Sequence, residues 1–274
     1  MKAQPRIFVV ANQKGGVGKT TTAINLGTAL AAVGKPTLVI DIDPQGNAST
    51  GLGLGVHERE RTIYDVLMGQ AAIGETIVET KIPKLYLLPA TVDLSGAELE
   101  LIDVDRRNFR LKDALESFFA ESESDLEYIL IDCPPSLSLL TINAMVAANA
   151  VLVPLQCEFF ALEGLSQLLK TIELVRDSLN PDLEIQGIVL TMSDKRNRLS
   201  VQVEADVRSH LGPKVYKTLI PRNVRISEAP SHGLPALVYD LHCPGSQAYI
   251  RLASEVIQQE TARQKSNRIN EEAV

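Results

Sequence analysis

A glycine-rich segment near the start of the chain carries two lysines followed by threonines. Residues 13–20 read Gln-Lys-Gly-Gly-Val-Gly-Lys-Thr, and they stand between a short apolar run at Arg6–Ala11 and a helical pattern at Thr20–Val33. Glycines let backbone N–H groups turn towards an anion, and the start of a helix adds the positive end of its dipole. The order strand, glycine loop, helix therefore predicts a phosphate-binding loop.

The side chains of this loop suit a nucleoside triphosphate. We expect Lys19 to reach the β- and γ-phosphates and Thr20 to offer its hydroxyl to Mg²⁺. The usual pattern G-x-x-x-x-G-K-[ST] is not strictly met, because its first glycine would fall on Gln13, and a second lysine, Lys14, follows. The nucleotide-contacting residues predicted from the loop are Gly15, Gly16, Val17, Gly18, Lys19, Thr20 and Thr21.

Acidic residues end two further strand-like runs. Asp41 and Asp43 close the run Thr37–Ile42, and because side chains alternate along a strand, both should face the same way at the carboxyl end of the sheet. Asp132 ends the run Tyr128–Ile131, which is the Walker B arrangement, and should bind a Mg²⁺-coordinated water. Of the first pair, one aspartate could hold a Mg²⁺-bound water while the other orients an attacking water.

The elements that must position these residues alternate along the chain. Further strand-like runs and helical patterns occur at 150–155, 185–191 and 215–220, and at 107–120, 139–148, 162–179, 199–211 and 246–262. This alternation predicts an α/β fold with a mostly parallel twisted sheet and helices on both faces. No linker rich in Pro, Gly or Ser divides the chain. We therefore predict a single P-loop domain over residues 1–262 and a flexible polar tail over 263–274.

Composition and charge narrow the class of protein. The chain has no uninterrupted apolar run of 18 residues, its N-terminus lacks a signal-peptide pattern, and its 3 cysteines are far apart. These features predict a cytoplasmic protein with reduced thiols. The net charge is −7, yet residues 195–225 hold eight Lys/Arg against two acids, a local charge of +6. Such asymmetry predicts an anion-binding face.

Together these motifs resemble the ParA/Soj chromosome-partitioning ATPases of the MinD/ParA group. The glycine loop matches the deviant Walker A form K-G-G-x-G-K-[ST], and residues 41–48 resemble the family's switch I motif D-x-D-P-Q-G-N-A. Residues 156–164 and 220–231 look like the family almost word for word. The resemblance covers roughly residues 6–260.

The resemblance implies roles for individual residues. Lys14 would cross a dimer interface to contact the partner's nucleotide, so that two copies sandwich two ATP molecules. Asp43 would position the hydrolytic water, and Asp41 would assist Mg²⁺. The adenine pocket would be lined by Pro221, Arg222 and Asn223. The expected catalytic residues are thus Lys14, Lys19 and Asp43, and the expected metal-site residues are Thr20, Asp41 and Asp132.

The resemblance also implies partners. The ATP-bound homodimer would bind double-stranded DNA without sequence preference, and a ParB-type activator would stimulate hydrolysis and release it, driving chromosome or plasmid segregation on the nucleoid. The expected DNA-binding residues are Lys195, Arg196, Arg198, Lys214, Lys217 and Arg225. Tyr216 is the lone aromatic in this segment, which favours phosphate contact over base stacking. With no strong general base apparent, we expect weak basal hydrolysis.

Other readings of the same loop stay open. A MinD-type membrane regulator would need a bulky amphipathic C-terminal helix, whereas residues 255–274 contain two Ile, two Val, no aromatic and no Leu. A nitrogenase-type reductase would need a second cysteine besides Cys133, and a bacterial tyrosine kinase would need a Tyr-rich tail. A scaffold that binds nucleotide without hydrolysis is disfavoured by the lysine and aspartates above. Only about five residues precede the first strand, so no operator-reading module is expected.

Overall fold

The computed structural model describes residues 4–158 and 161–272. Its strands are β1 (Arg6–Val10), β2 (Thr37–Asp41), β3 (Val78–Glu79), β4 (Leu85–Leu88), β5 (Tyr128–Asp132), β6 (Ala150–Gln156), β7 (Glu184–Ser193) and β8 (Val215–Pro221). They form one sheet in the order β3-β4-β2-β5-β1-β6-β7-β8, in which β3 and β4 are antiparallel and the other neighbours are parallel. The predicted mostly parallel α/β fold is confirmed.

Helices follow nearly every strand. They are α1 (Lys19–Ala32), α2 (Asn47–Gly51), α3 (Ile63–Met68), α4 (Ile73–Thr76), α5 (Leu94–Glu100), α6 (Arg110–Glu121), α7 (Leu139–Ala147), α8 (Ala161–Ser178), α9 (Arg198–Leu211), α10 (Val224–Glu228), α11 (Ala236–Tyr239) and α12 (Pro244–Glu272). The helix expected at 246–262 continues to Glu272 as α12, while the flexibility of 263–274 stays a prediction. Phe159 and Phe160 of the family-like segment 156–164 lie outside the described residues.

The central strand shows why both faces of the sheet are covered. Side chains alternate along β1, so Ile7 and Val9 enter one hydrophobic cluster while Phe8 and Val10 enter another. The first cluster is built with α3 and α5–α9, and the second with α1 and α12. A strand buried on both faces needs apolar residues at every position, which is how the run Arg6–Ala11 reads.

The edge strand β8 is held by side chains from two helices. Its pairing with β7 shifts register, which leaves backbone groups without strand partners. The carboxylate of Glu255 on α12 accepts hydrogen bonds from the backbone N–H groups of Lys217 and Thr218, both at 2.8 Å. Arg208 on α9 donates to the carbonyl of Tyr216 at 3.1 Å. The bulge is thereby satisfied.

A buried ion-pair cluster joins the first strand to the last helix. The Nε atom of Arg6 on β1 lies 3.2 Å from Oε2 of Glu260 on α12, and the Glu260 side chain is only 5% exposed. Arg263 donates to the same oxygen at 2.9 Å, and Arg6 also contacts the exposed Glu184 at 3.0 Å. The cluster therefore ties β1, β7 and α12 together at the amino end of the sheet.

The cysteines are free and buried. Burial raises the pKa of Cys157 to about 11 and that of Cys133 well above its ordinary value. At pH 8 only about one Cys157 in a thousand is then a thiolate, and the thiolate is the reactive form. We expect Ellman's reagent to leave Cys133 and Cys157 unmodified in the folded protein for many minutes and to titrate every cysteine in urea. Fast modification of either residue without denaturant would contradict this.

Candidate nucleotide-binding site

The loop between β1 and α1 is anchored from a neighbouring strand. The buried Asn12 side chain donates from Nδ2 to the carbonyl of Pro154 on β6 at 2.7 Å, and its Oδ1 accepts from the N–H of Lys14 at 3.0 Å. Gly16 and Gly18 have φ of 72° and 91°, a left-handed conformation that favours glycine. Asn12 was not predicted, although its place at the end of β1 is where a loop-turning amide is useful.

The start of α1 is open to an anion. Its N-cap is Gly18, which offers no side chain, and its first turn holds no acidic residue, so the first backbone N–H groups are free of side-chain caps. Nζ of Lys19 donates to the carbonyl of Lys14 at 3.0 Å, which places the ammonium against the loop. Burial lowers the pKa of Lys19, and the charges of Asp132 and Asp43 oppose that shift. A partly desolvated cation and free N–H groups suit phosphate oxygens.

Two of the predicted carboxylates are neighbours on adjacent strands. Asp41 on β2 pairs in register with Asp132 on β5, and both are fully buried. Asp41 accepts hydrogen bonds from Ser49, from the N–H at 2.8 Å and the hydroxyl at 2.7 Å, and from the N–H of Asp43 at 3.3 Å. Burial raises the pKa of Asp41 to about 6. Its oxygens are thus engaged with the turn and with α2, which makes any role at a metal indirect.

Asp132 is different, because within the described residues neither of its buried carboxylate oxygens has a hydrogen-bond partner of good geometry, and the Thr20 hydroxyl is the nearby polar group that favours its charged form. Burial, and then the charge of Asp41, raise the pKa of Asp132 well above its ordinary range. An unpartnered buried carboxylate is costly, and a hydrated cation would satisfy it. The part of the chain described by the structure has no cluster of three or more His, Cys, Asp or Glu suited to a metal ion. The residues therefore fit Mg²⁺ held chiefly by phosphate oxygens and water, with Thr20 and Asp132 beside it.

Asp43 lies at the start of the turn that follows β2. It is 7% exposed, and its Oδ1 accepts from the N–H of Gln45 at 2.9 Å. Gly46 closes the turn with φ of 62°, and its N–H donates to the Asp43 carbonyl at 2.9 Å. The carboxylate is held by its own turn, and it acts electrostatically on Lys19. That position agrees with a group that orients water near the phosphates.

A cavity of about 430 Å³ adjoins the phosphate loop. Its walls bring together residues from the loop and α1, from the ends of β7 and β8, from α10 and the turn after it, and from α12: Gly18, Thr21, Thr191, Met192, Ile220, Pro221, Arg222, Asn223, Ile226, Ser227, Pro230 and Tyr249. The structure therefore places Pro221, Arg222 and Asn223 beside the loop, where a base would lie. The hydroxyl of Thr191 donates to the carbonyl of Val17 at 2.8 Å and fixes this wall.

The side chain of Lys14 is paired with an acidic residue outside the loop. Its Nζ forms an ion pair with Oε2 of Glu158 at 2.6 Å, and the two side chains are 41% and 46% exposed. Glu158 also accepts a hydrogen bond from Gln156. The predicted interface lysine is thus accessible to a second chain.

The predicted DNA-binding residues divide into groups. A groove of about 830 Å³ is lined by Lys195, Arg196 and Lys217, and also by Arg222 and Arg251. Two further members are exposed, one at the start of α9 and one on α10: Arg198 and Arg225. Arg251 was not predicted, because it lies 26 residues beyond the basic segment, on α12.

Lys214 is the member that the structure does not bring to this groove. It stands before the first residue of β8, whereas Lys195 follows the last residue of the parallel strand β7. The seven-residue strand β8 therefore separates the two lysines by about 20 Å. Counting charges along the sequence does not show at which end of the sheet each charged residue lies.

Nearby acids offset part of the basic charge. Arg196 binds Asp194 through Nε at 3.0 Å and Nη2 at 3.1 Å, although its side chain is 91% exposed. Arg225 donates to Glu228 at 3.0 Å, and its Nε lies 3.6 Å from Asp240. All three acids lie outside residues 195–225. The local charge of this face is therefore lower than the sequence count of +6.

Comparison with known proteins agrees with this site. A protein-family profile described as "AAA domain" matches residues 5–185. The chain is 64% identical over 265 residues to the chromosome partitioning protein ParA of Caulobacter vibrioides, covering 96% of this chain and 98% of that protein. The chain belongs to the ParA/Soj family of chromosome-partitioning ATPases. It is also 52% identical over 251 residues to the sporulation initiation inhibitor protein Soj of Bacillus subtilis, covering 92% and 98%.

Solved structures give the same fold. Cobyrinic acid a,c-diamide synthase from Mycobacterium smegmatis, with bound ADP and magnesium, is 36% identical with a TM-score of 0.81 over 94% of this chain and 96% of its own. The septum site-determining protein MinD from Pyrococcus horikoshii, complexed with Mg-ADP, is 29% identical with a TM-score of 0.76 over 92% and 96%. Among residues 4–158 and 161–272, no helix is long and apolar enough to span a membrane.

Proposed function

We propose that this chain binds ATP with Mg²⁺ and uses slow hydrolysis to switch a partitioning dimer on and off DNA. The observation that carries the proposal is the convergence of three features at the carboxyl edge of the sheet. These are the phosphate loop with free helix N–H groups, the buried and unpartnered Asp132, and the base-sized cavity beside Gly18. Relatives named as partitioning ATPases support it.

In this proposal the chain's own groups prepare phosphoryl transfer mainly through charge and position. Lys19 and the loop N–H groups, from Gly15 to Thr21, stabilise negative charge on the transferring phosphoryl group. Asp43 orients the attacking water. Mg²⁺, beside Thr20 and Asp132 with Asp41 supporting the turn, would offset phosphate charge when bound. A carboxylate that only orients water gives weak basal turnover, which a ParB-type activator would raise.

The dimer in this proposal is completed by Lys14. Its exposed ammonium would leave Glu158 and contact the nucleotide of the partner subunit, so that two chains enclose two ATP molecules. A cation supplied across an interface stabilises transition-state charge as an arginine finger does. Lys14, Lys19 and Asp43 are the catalytic residues of the proposal.

The DNA face in this proposal is the basic groove with its flanking residues. Lys195, Arg196 and Lys217 would contact phosphates, assisted by Arg198 and Arg225, and dimerisation would double the set. Phosphate contacts are independent of sequence and weaken with salt. We place the protein in the cytoplasm, on the nucleoid, with chromosomal or plasmid DNA as its track.

DNA binding by the pure protein tests this proposal directly. We expect binding to a random duplex with ATP but not with ADP, and a weaker complex at 200 mM than at 50 mM salt. Arg225→Glu should lower affinity more than tenfold, because it reverses a charge on the proposed face. Lys214→Glu makes the same change outside the groove and should lower affinity less than Arg225→Glu does. Binding that ignores nucleotide, or equal losses in both variants, would refute the proposed DNA face.

A further inference from the structure

The buried side chain of Arg59 lies in a region whose role the sequence left open. Arg59 follows the short 3-10 helix at Val56–Glu58 and is 8% exposed. Its guanidinium donates to the carbonyl of Ala90 at 2.7 Å, to the hydroxyl of Thr50 at 2.8 Å, and to the carbonyl of Leu54 at 2.8 Å. All of these acceptors are uncharged. A buried arginine with neutral acceptors calls for an explanation other than a salt bridge.

The acceptors of Arg59 belong to two segments that flank the nucleotide site. Thr50 is in α2, which directly follows the turn that holds Asp43, and Leu54 lies shortly after the end of α2. Ala90 follows β4, and its N–H donates to the hydroxyl of Ser49 at 3.1 Å. The hydroxyl of Ser49 in turn donates to Asp41. The guanidinium therefore closes a hydrogen-bonded circuit between the end of β4, α2 and the carboxylates at the end of β2.

The guanidinium of Arg59 lies directly against the backbone of Gly46. A Cβ atom built on Gly46 would clash with Nη1 of Arg59 and would lie 2.9 Å from the Ala90 carbonyl. The glycine is thus needed for close approach as well as for its positive φ. The helix α2 has only five residues and cannot hold its conformation without tertiary contacts. Its place relative to the phosphate loop therefore depends on such anchors.

We propose that Arg59 is a positioning residue for ATP hydrolysis. It fixes residues 46–54 against Ala90 and so holds Asp43 where it can orient the attacking water. The inference rests on the proposed function for the role of Asp43, but the tether itself is independent of that role. The rigid fork of a guanidinium reaches three acceptors at once, whereas a lysine ammonium on its flexible chain does not.

The variant Arg59→Lys keeps the charge and removes the fork. We expect kcat for ATP hydrolysis to fall about tenfold, because a small displacement of a water-orienting group strongly lowers the rate of the chemical step. The Kd for ADP should stay within about threefold, because the phosphate loop and base cavity do not touch Arg59. The matched control is Arg61→Lys, an exposed residue paired with Glu75 at 2.6 Å, which should match wild type.

A fluorescence reporter tests the tether without hydrolysis. The chain has no tryptophan, so Val56→Trp, at a position 61% exposed, places a single indole beside Arg59. Combining it with Arg59→Lys should lower the indole anisotropy, and combining it with Arg61→Lys should not. If Arg59→Lys leaves the indole anisotropy unchanged, the proposed tether is wrong. If the anisotropy falls but the wild-type protein does not hydrolyse ATP, only the proposed function is wrong.

The kinetic outcome is equally decisive. A kcat within twofold of wild type would overturn the positioning role, and so would parallel losses of kcat and ADP affinity, which indicate general damage to the site. If Arg59→Lys fails to fold, Thr50→Val removes one acceptor at nearly constant volume. It should lower kcat about threefold with ADP affinity retained, and a wild-type kcat there would overturn the inference.

Discussion

Replacement of Asp132 by Asn is expected to make the nucleotide-free protein more stable while nearly abolishing its ATP hydrolysis. Without a ligand, the folded state must either bury an unpartnered carboxylate or keep it protonated, and the unfolded state has neither cost. The amide cannot ionise and therefore removes the cost of burying a charge, so the free energy of unfolding should rise by about 1–3 kcal/mol at pH 7. Hydrolysis with Mg²⁺ should fall by about 10²–10³-fold.

The pH dependence gives this prediction a definite sign. The pKa of Asp132 is raised in the folded state, so ionisation disfavours folding at every pH above the ordinary carboxyl range. The stability difference between Asp132→Asn and wild type should therefore narrow as the pH falls towards 4, where the unfolded chain also takes up the proton. Urea unfolding without nucleotide measures it, with Asp182→Asn on the surface as control. A lower free energy of unfolding for Asp132→Asn than for wild type would refute the cost assigned to burying this carboxylate.

Glu260→Ala is expected to be among the most destabilising substitutions of a charged residue on α12. It leaves Arg6, whose side chain is 11% exposed, with only the solvent-facing Glu184 as an acid partner among the described residues. Removing one member of a buried ion pair leaves the other uncompensated, so we expect a loss of about 3 kcal/mol. Denaturant unfolding at constant salt measures the change.

The matched control for this prediction lies in the same cluster. Glu184 contacts the same arginine at a similar distance, but its side chain is 59% exposed. Glu184→Ala should cost less than about 1 kcal/mol, because exposed ion pairs contribute little. Equal losses in both variants would show that burial does not set the strength of this cluster.

The parts of the fold that the sequence predicted share a physical property. In β1 and the phosphate loop, buried apolar runs, glycines and a helix start follow one another within about 30 residues, so local rules suffice. Six helices were expected within about three residues of their observed starts for the same reason. The family-like motifs extended this to the end of β8, where Pro221–Asn223 line the cavity beside the phosphate loop, while their contact with a base stays a prediction.

What the sequence did not predict depends on contacts between distant segments. The strand β4 has four residues and β3 has two, too short for periodicity to show. Asn12, Thr191 and Arg59 each donate a hydrogen bond to a backbone carbonyl 31 to 174 residues away. No local sequence pattern identifies such side chains, because asparagine, threonine and arginine are also common on protein surfaces.

The covering of the central sheet also orders its assembly on the ribosome. Strand β1 and the phosphate loop are synthesised early, yet one face of β1 is covered by α12, which emerges more than 230 residues later. Tyr249 of that helix also lines the base cavity and contacts the Thr22 hydroxyl at 3.2 Å. A nascent chain therefore lacks one wall of this cavity during most of its translation. The walls of this cavity are complete only once α12 has been synthesised.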